Sequence, residues 1–113
     1  MAETEPAAGG EGDERLRAEI AAKLKGGLET EAWPRAGSSE MVNEIVGRLR
    51  SEAQDDLVAK LVVAGVTDHP IEADDLDQPC ETCMYYLVHR RFCELPELMI
   101  PVEPTWSCRL WRI

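Results

Sequence analysis

The sequence predicts a small, mainly α protein. A disordered acidic N-terminal tail leads into two amphipathic helices, and a C-terminal, irregular, loop-rich module with one short helix follows. Three observations carry this expectation. Apolar residues recur at helical spacing between residues 15 and 65. Residues 66–79 hold five acids, no Lys or Arg, and prolines near both ends. All four cysteines and five of the six aromatics fall in 80–113. With 113 residues there is room for one small domain, divided into a tail (1–14), a helical hairpin (15–65), an acidic linker (66–79) and a four-cysteine module (80–113).

Taken in order, residues 1–14 are built largely from Glu, Gly, Ala and Pro, with no large apolar residue after Met1, and read as solvated chain. The first helix, about residues 14–28, carries Leu16, Ile20, Leu24 and Leu28 on one stripe and frays at Gly26-Gly27. The second is a single long helix from Ser38 or Ser39, either of which can cap it, with Glu40 complementing the dipole. Its stripe is Val42, Ile45, Leu49, Ala53, Leu57 and Leu61, and Gly65 stands where a left-handed cap belongs. Such a stripe is ordinary core by default; the sharper alternative is a docking face for a larger partner. Residues 31–37 read as a turn, and 66–79 as a linker in which His69 is solvated.

Charge excludes several roles. The chain has 22 acidic and 12 basic side chains, net −10, which argues against nucleic acid and anionic membranes as partners. Residues 80–113 contain four acids and four arginines, so the whole excess lies before them. No apolar run approaches the roughly 18 residues of a membrane span. The start lacks the basic and apolar regions of a signal peptide, so the expected location is cytoplasmic.

The cysteines follow C-x2-C-x9-C-x14-C: Cys80, Cys83, Cys93 and Cys108. Disulfides conflict with a reducing compartment. A thioredoxin-type pair needs a preceding strand and a following helix, and an acidic linker precedes Cys80 instead. Two metal sites remain. Zinc sites with four cysteines are typically assembled from two short pairs, whereas one pair and two single cysteines occur here, with no glycine from 80 to 113. A 4Fe–4S cluster is larger, accepts single ligands from wider loops, and benefits from an apolar wall. Met84, Tyr85, Tyr86, Leu87, Phe92, Leu95, Leu98, Ile100, Trp106, Leu110 and Trp111 can build one. Arg90, Arg91, Arg109 and Arg112 can offset the charge of either metal site. The expected cofactor is therefore a 4Fe–4S cluster, with Zn²⁺ as the alternative.

His89 has two readings. It can replace a cysteine as a zinc ligand, or lie on the outside of a short helix from about Glu81 to Phe92; the second is expected. No Asn or Asp follows it to orient a Cys–His pair, and four cysteine ligands leave a cluster no open position, so no catalytic residue is expected. Pro96, Pro101 and Pro104 stiffen the approach to Cys108 and preclude a long helix there.

This segment resembles the high-potential iron–sulfur proteins and, more particularly, the small cluster-bearing accessory subunits of some glycyl-radical enzymes. The likeness rests on Cys80-Glu81-Thr82-Cys83 followed directly by Met84-Tyr85-Tyr86, on Cys93 near Pro96, and on Trp106-Ser107-Cys108. It implies that Cys80, Cys83, Cys93 and Cys108 each ligate one iron. The gap from Cys83 to Cys93 is shorter than in the secreted carriers, so a high-potential couple is not implied. The resulting expectation is a small iron–sulfur protein, acting in electron transfer or as a structural accessory subunit beside a larger redox enzyme or other protein partner. The alternative is a zinc-stabilised protein-interaction module without redox activity.

Overall fold

The computed structural model describes residues 11–73 and 75–112. Three helices come first: α1 (Glu11–Lys25), α2 (Ser39–Glu52) and α3 (Leu57–Ala64). A two-stranded hairpin follows, β1 (Glu72–Ala73) with β2 (Leu76–Asp77), then a 3-10 turn at Cys80–Thr82. The chain finishes on an antiparallel meander in the order β3 (Tyr86–Leu87), β4 (Phe92–Cys93), β5 (Ile100–Pro101). Three helices and two small antiparallel sheets make this an α+β fold, which corrects the mainly α expectation.

Helix α1 ends at Lys25, short of the expected residue 28, and Leu28 joins the core's edge from the chain just beyond; the helix buries Ile20 fully and packs Leu16 and Leu24 at that edge. It includes Glu11–Glu14, so the last four residues expected in the tail are its first turn, with acids suited to the helix N-terminus. The rest of the tail, residues 1–10, lies outside the described residues. The expected single helix over 38–65 is two. Ser38 caps α2 by accepting from the Met41 amide (3.2 Å), and Asp56 opens α3 by accepting from the Ala59 amide (3.1 Å). An aspartate offering its carboxylate to a helix start competes with continuation of the preceding helix, and the chain breaks at 53–56. The stripe survives the break: Ile45, Leu49, Ala53 and Leu61 are all buried.

Gly65 closes α3 in the left-handed region (φ 67°), and its amide reaches the carbonyls of Leu61 and Val62. Glycine is required twice over, because a Cβ here would also run into the Glu31 carbonyl. That close approach exists because the Glu31 amide bonds the Val62 carbonyl at 2.9 Å, lacing the 28–37 turn to α3.

Residues 66–79, expected as an open linker, are tied down. Val66 is buried, Thr67 bridges Ser107 in antiparallel fashion, and the β1–β2 hairpin returns the chain so that the Gln78 amide meets the Ile71 carbonyl. The expected helix over 81–92 is also absent. After the single turn at Cys80–Thr82 the chain extends, Tyr86 pairs with Cys93 and Leu87 with Phe92, and Arg91 takes a left-handed φ of 51° at the hairpin turn. Aromatic and branched side chains favour this extended path.

One core joins both parts. Ile20, Ile45, Leu49 and Leu61 from the helices pack with Leu95, Leu98, Ile100, Val102, Trp106 and Leu110 from the C-terminal segment. The helical stripe is therefore interior, not an external docking face. Arg17, only 3% exposed, adds a polar clamp. Its guanidinium donates from α1 to the carbonyls of Val102 (3.1 Å), Arg90 (3.0 Å) and Arg91 (2.9 Å), and faces Glu14 at 3.1 Å.

Candidate metal centre

The fold brings all four cysteines to one cavity, lined by Cys80, Cys83, Cys93, Cys108, Tyr85, Tyr86 and Trp111. They arrive from separate pieces of chain. Cys80 opens the 3-10 turn and Cys83 closes it, its amide bonding the Cys80 carbonyl at 2.9 Å. Cys93 ends β4, placed opposite Tyr86 by strand register. Cys108 follows the Thr67–Ser107 bridge. A helix over 81–92 would carry Cys93 about 15 Å along its axis from Cys83; the hairpin folds both to the cavity.

Long-range backbone bonds hold these pieces. The Cys80 amide donates to the Trp106 carbonyl (2.6 Å), Glu81 to Pro104 (3.0 Å) and Met84 to Arg112 (2.7 Å). Trp111 folds back over the site, its indole N–H donating to the Pro79 carbonyl at 3.0 Å, with the Thr82 hydroxyl at 3.1 Å. Of the residues expected to form the wall, Tyr85, Tyr86 and Trp111 line the cavity. Phe92, Leu95, Leu98, Ile100, Trp106 and Leu110 are buried, and Met84 is 56% exposed.

No disulfide links any two of the four cysteines. Burial pushes the Cys80 thiol well above the ordinary range, and Cys108, Cys93 and Cys83 push it further because their charges would add to its own. Burial likewise raises Cys93, followed by the neighbouring Cys108, while the Leu95 amide donates to its sulfur and works the other way. Cys108 is raised to about 11 by burial, against a hydrogen bond from the Leu110 amide. Cys80, Cys93 and Cys108, drawn into an apolar pocket where their thiolate charges would repel one another, favour the protonated form unless a cation takes the proton's place. Tyr86 is raised for related reasons, burial first and then Cys80.

The donor set fits a thiophilic centre: four soft sulfurs, backbone amides aimed at two of them, and an aromatic wall. Among the described residues, no three His, Cys, Asp or Glu side chains are drawn together as the ligands of one ion would be. His89 is exposed at the hairpin turn and does not line the cavity; His69 is exposed beside Asp68.

The cationic surroundings differ from expectation. Arg90 pairs with Asp13 (2.6 Å), and Arg91 with Glu14 (2.6 Å) and Glu103 (3.0 Å), so both bind acids at the start of α1, and Arg91 also one just after β5. Arg109 reaches the Val63 carbonyl and Glu31, whose carboxyl is held below its usual range chiefly by the bidentate Arg48. Two cations act on Cys108, Arg35 from the turn before α2 and the expected Arg109; the Arg35 guanidinium donates to the Cys108 carbonyl at 2.7 Å. Nothing in the local sequence marks Arg35, because three of its four partners lie 43 to 73 residues away.

No family model, curated protein or solved structure matches this chain.

Proposed function

We propose that this chain is a small iron–sulfur protein that binds one 4Fe–4S cluster through Cys80, Cys83, Cys93 and Cys108. It would serve in electron transfer or as a structural accessory subunit of a larger redox enzyme. One observation carries the reading: the chain's four cysteines, from three distant backbone segments, line a single aromatic-walled cavity. The likeness of residues 80–113 to cluster-bearing accessory subunits supports it.

When bound, the cluster supplies one-electron chemistry and a covalent staple for the C-terminal segment. The chain's own residues do the rest. Tyr85, Tyr86 and Trp111 limit water at the sulfurs, and the Leu95 and Leu110 amides donate to Cys93 and Cys108, lessening the thiolate charge. A core of this thickness has two-residue strands on its cysteine side, and a metal staple compensates for their short ladders.

Anaerobic purification followed by iron, sulfide and zinc analysis with the visible spectrum tests the proposal. Iron and sulfide in equal amounts, with broad absorbance around roughly 400 nm from sulfur-to-iron charge transfer, is the expected result. About one zinc per chain without that absorbance establishes the zinc-stabilised interaction module instead. Cys108→Ser should strip most of the iron and sulfide; His89→Ala should leave both in place.

A further inference from the structure

Among the arginines that are at least half-buried, Arg35 stands apart. Arg17, Arg48, Arg90, Arg91 and Arg109 each face a carboxylate. Arg35 has none among the described residues. Its four hydrogen bonds all go to neutral oxygens: Nε to Gln78 Oε1 (3.1 Å), Nη1 to the Ala32 carbonyl (3.1 Å), and Nη2 to Ser107 Oγ (2.9 Å) and the Cys108 carbonyl (2.7 Å). Withdrawing a guanidinium from water without an opposing charge is costly, so one is expected nearby. Its Nη2 sits on the Cys108 carbonyl, so the groups beside it that gain negative charge once the cysteines take up a metal are the sulfurs of Cys108 and, next, Cys80.

The clamp has a geometric logic. Gln78 and Ser107 flank Cys80 and Cys108 in the chain, so the residues that fix the guanidinium also lead into two of the four ligands. Trp33 stacks on its outer side, 5.6 Å from the ring centre. One side chain from the 28–37 turn thus spans the start and the end of the cysteine segment.

We propose that Arg35 is the counter-cation of the thiolate cage: it neutralises part of the charge that four thiolates bring to a bound metal centre, and thereby sets metal affinity and, for a cluster, the reduction potential. This rests on the four-thiolate reading above. Arg35 is a positioning residue and touches no metal itself.

The test compares full-length wild type, Arg35→Gln and Arg35→Lys. Co²⁺ is titrated into the reduced, metal-free chain, and the midpoint potential is measured on anaerobically purified protein. Arg35→Gln, which keeps hydrogen bonds but loses charge, should weaken Co²⁺ binding by about 10- to 100-fold. Arg35→Lys should recover most of that loss. In iron-loaded protein, Arg35→Gln should move the potential to more negative values, because the reduced cluster carries an extra electron that the cation favours; Arg35→Lys should move it less. Unchanged affinity and potential in Arg35→Gln overturn the proposal, as does Arg35→Lys failing as badly as Arg35→Gln, which marks a structural clamp. Wild type that binds Co²⁺ but never iron defeats the cluster reading alone and leaves the Co²⁺ series to decide Arg35. Wild type that binds neither defeats both.

Discussion

The helices and the C-terminal segment are held in different ways. Helices α2 and α3 are secured by apolar side chains at regular spacing: Ile45, Leu49, Ala53 and Leu61 all point inward, and local caps at Ser38, Asp56 and Gly65 set the ends. The segment from Cys80 to Arg112 has strands of two residues and is secured by distant partners, among them Arg17 on α1, Arg35 before α2, and Thr67 after α3. Stability in the first region comes from burial that each helix carries in its own sequence. In the second it comes from groups supplied by the first and, on the proposed reading, from a metal centre held by the four cysteines. The helical region is therefore a frame, and the cysteine segment is mounted on it.

Three substitutions probe that division. The largest effect is expected from Leu49→Ala, at 1% exposure. It should cost about 2–5 kcal/mol in denaturant unfolding and leave a cavity in the shared core, so both regions should melt together. A smaller, local effect is expected from Arg17→Met. Three carbonyls of the meander lose a charged donor, worth about 2–3 kcal/mol, and amide exchange should quicken around Phe92 and Val102 before it does in α2. Equal quickening in α2 would erase the distinction between the regions. The smallest is Asp56→Ala, which removes the α3 cap. A loss of about 1 kcal/mol in thermal unfolding is expected, with metal content unchanged.

The same contrast explains what was legible from sequence. Periodicity and capping residues report local geometry, so the apolar stripe, the Ser38 cap and the Gly65 terminus could be read directly. Two features escaped that reading: the break at Asp56, across which the stripe keeps its phase, and the ends of α1, whose first turn Glu11–Glu14 carries no apolar residue to mark it. In the C-terminal segment the informative partners are far apart in sequence. Tyr86 faces Cys93 through a turn that needs a left-handed Arg91, and Thr67 meets Ser107 across the fold. Neither contact leaves a periodic trace, so a hairpin was taken for a helix and a tethered hairpin for a linker. That the four cysteines belong together was legible, because spacing and residue type alone group them, and they do line one cavity. Arg35 was not, since a lone arginine in a Trp-Pro turn has no pattern until Cys108 arrives beside it.

Native mass spectrometry of the anaerobically purified chain addresses the four-thiolate cluster most directly. The expected result is a species about 350 Da heavier than the polypeptide, the mass of four iron and four sulfide, reduced to the bare chain in Cys108→Ser. A single adduct of about 65 Da, one zinc, would contradict it.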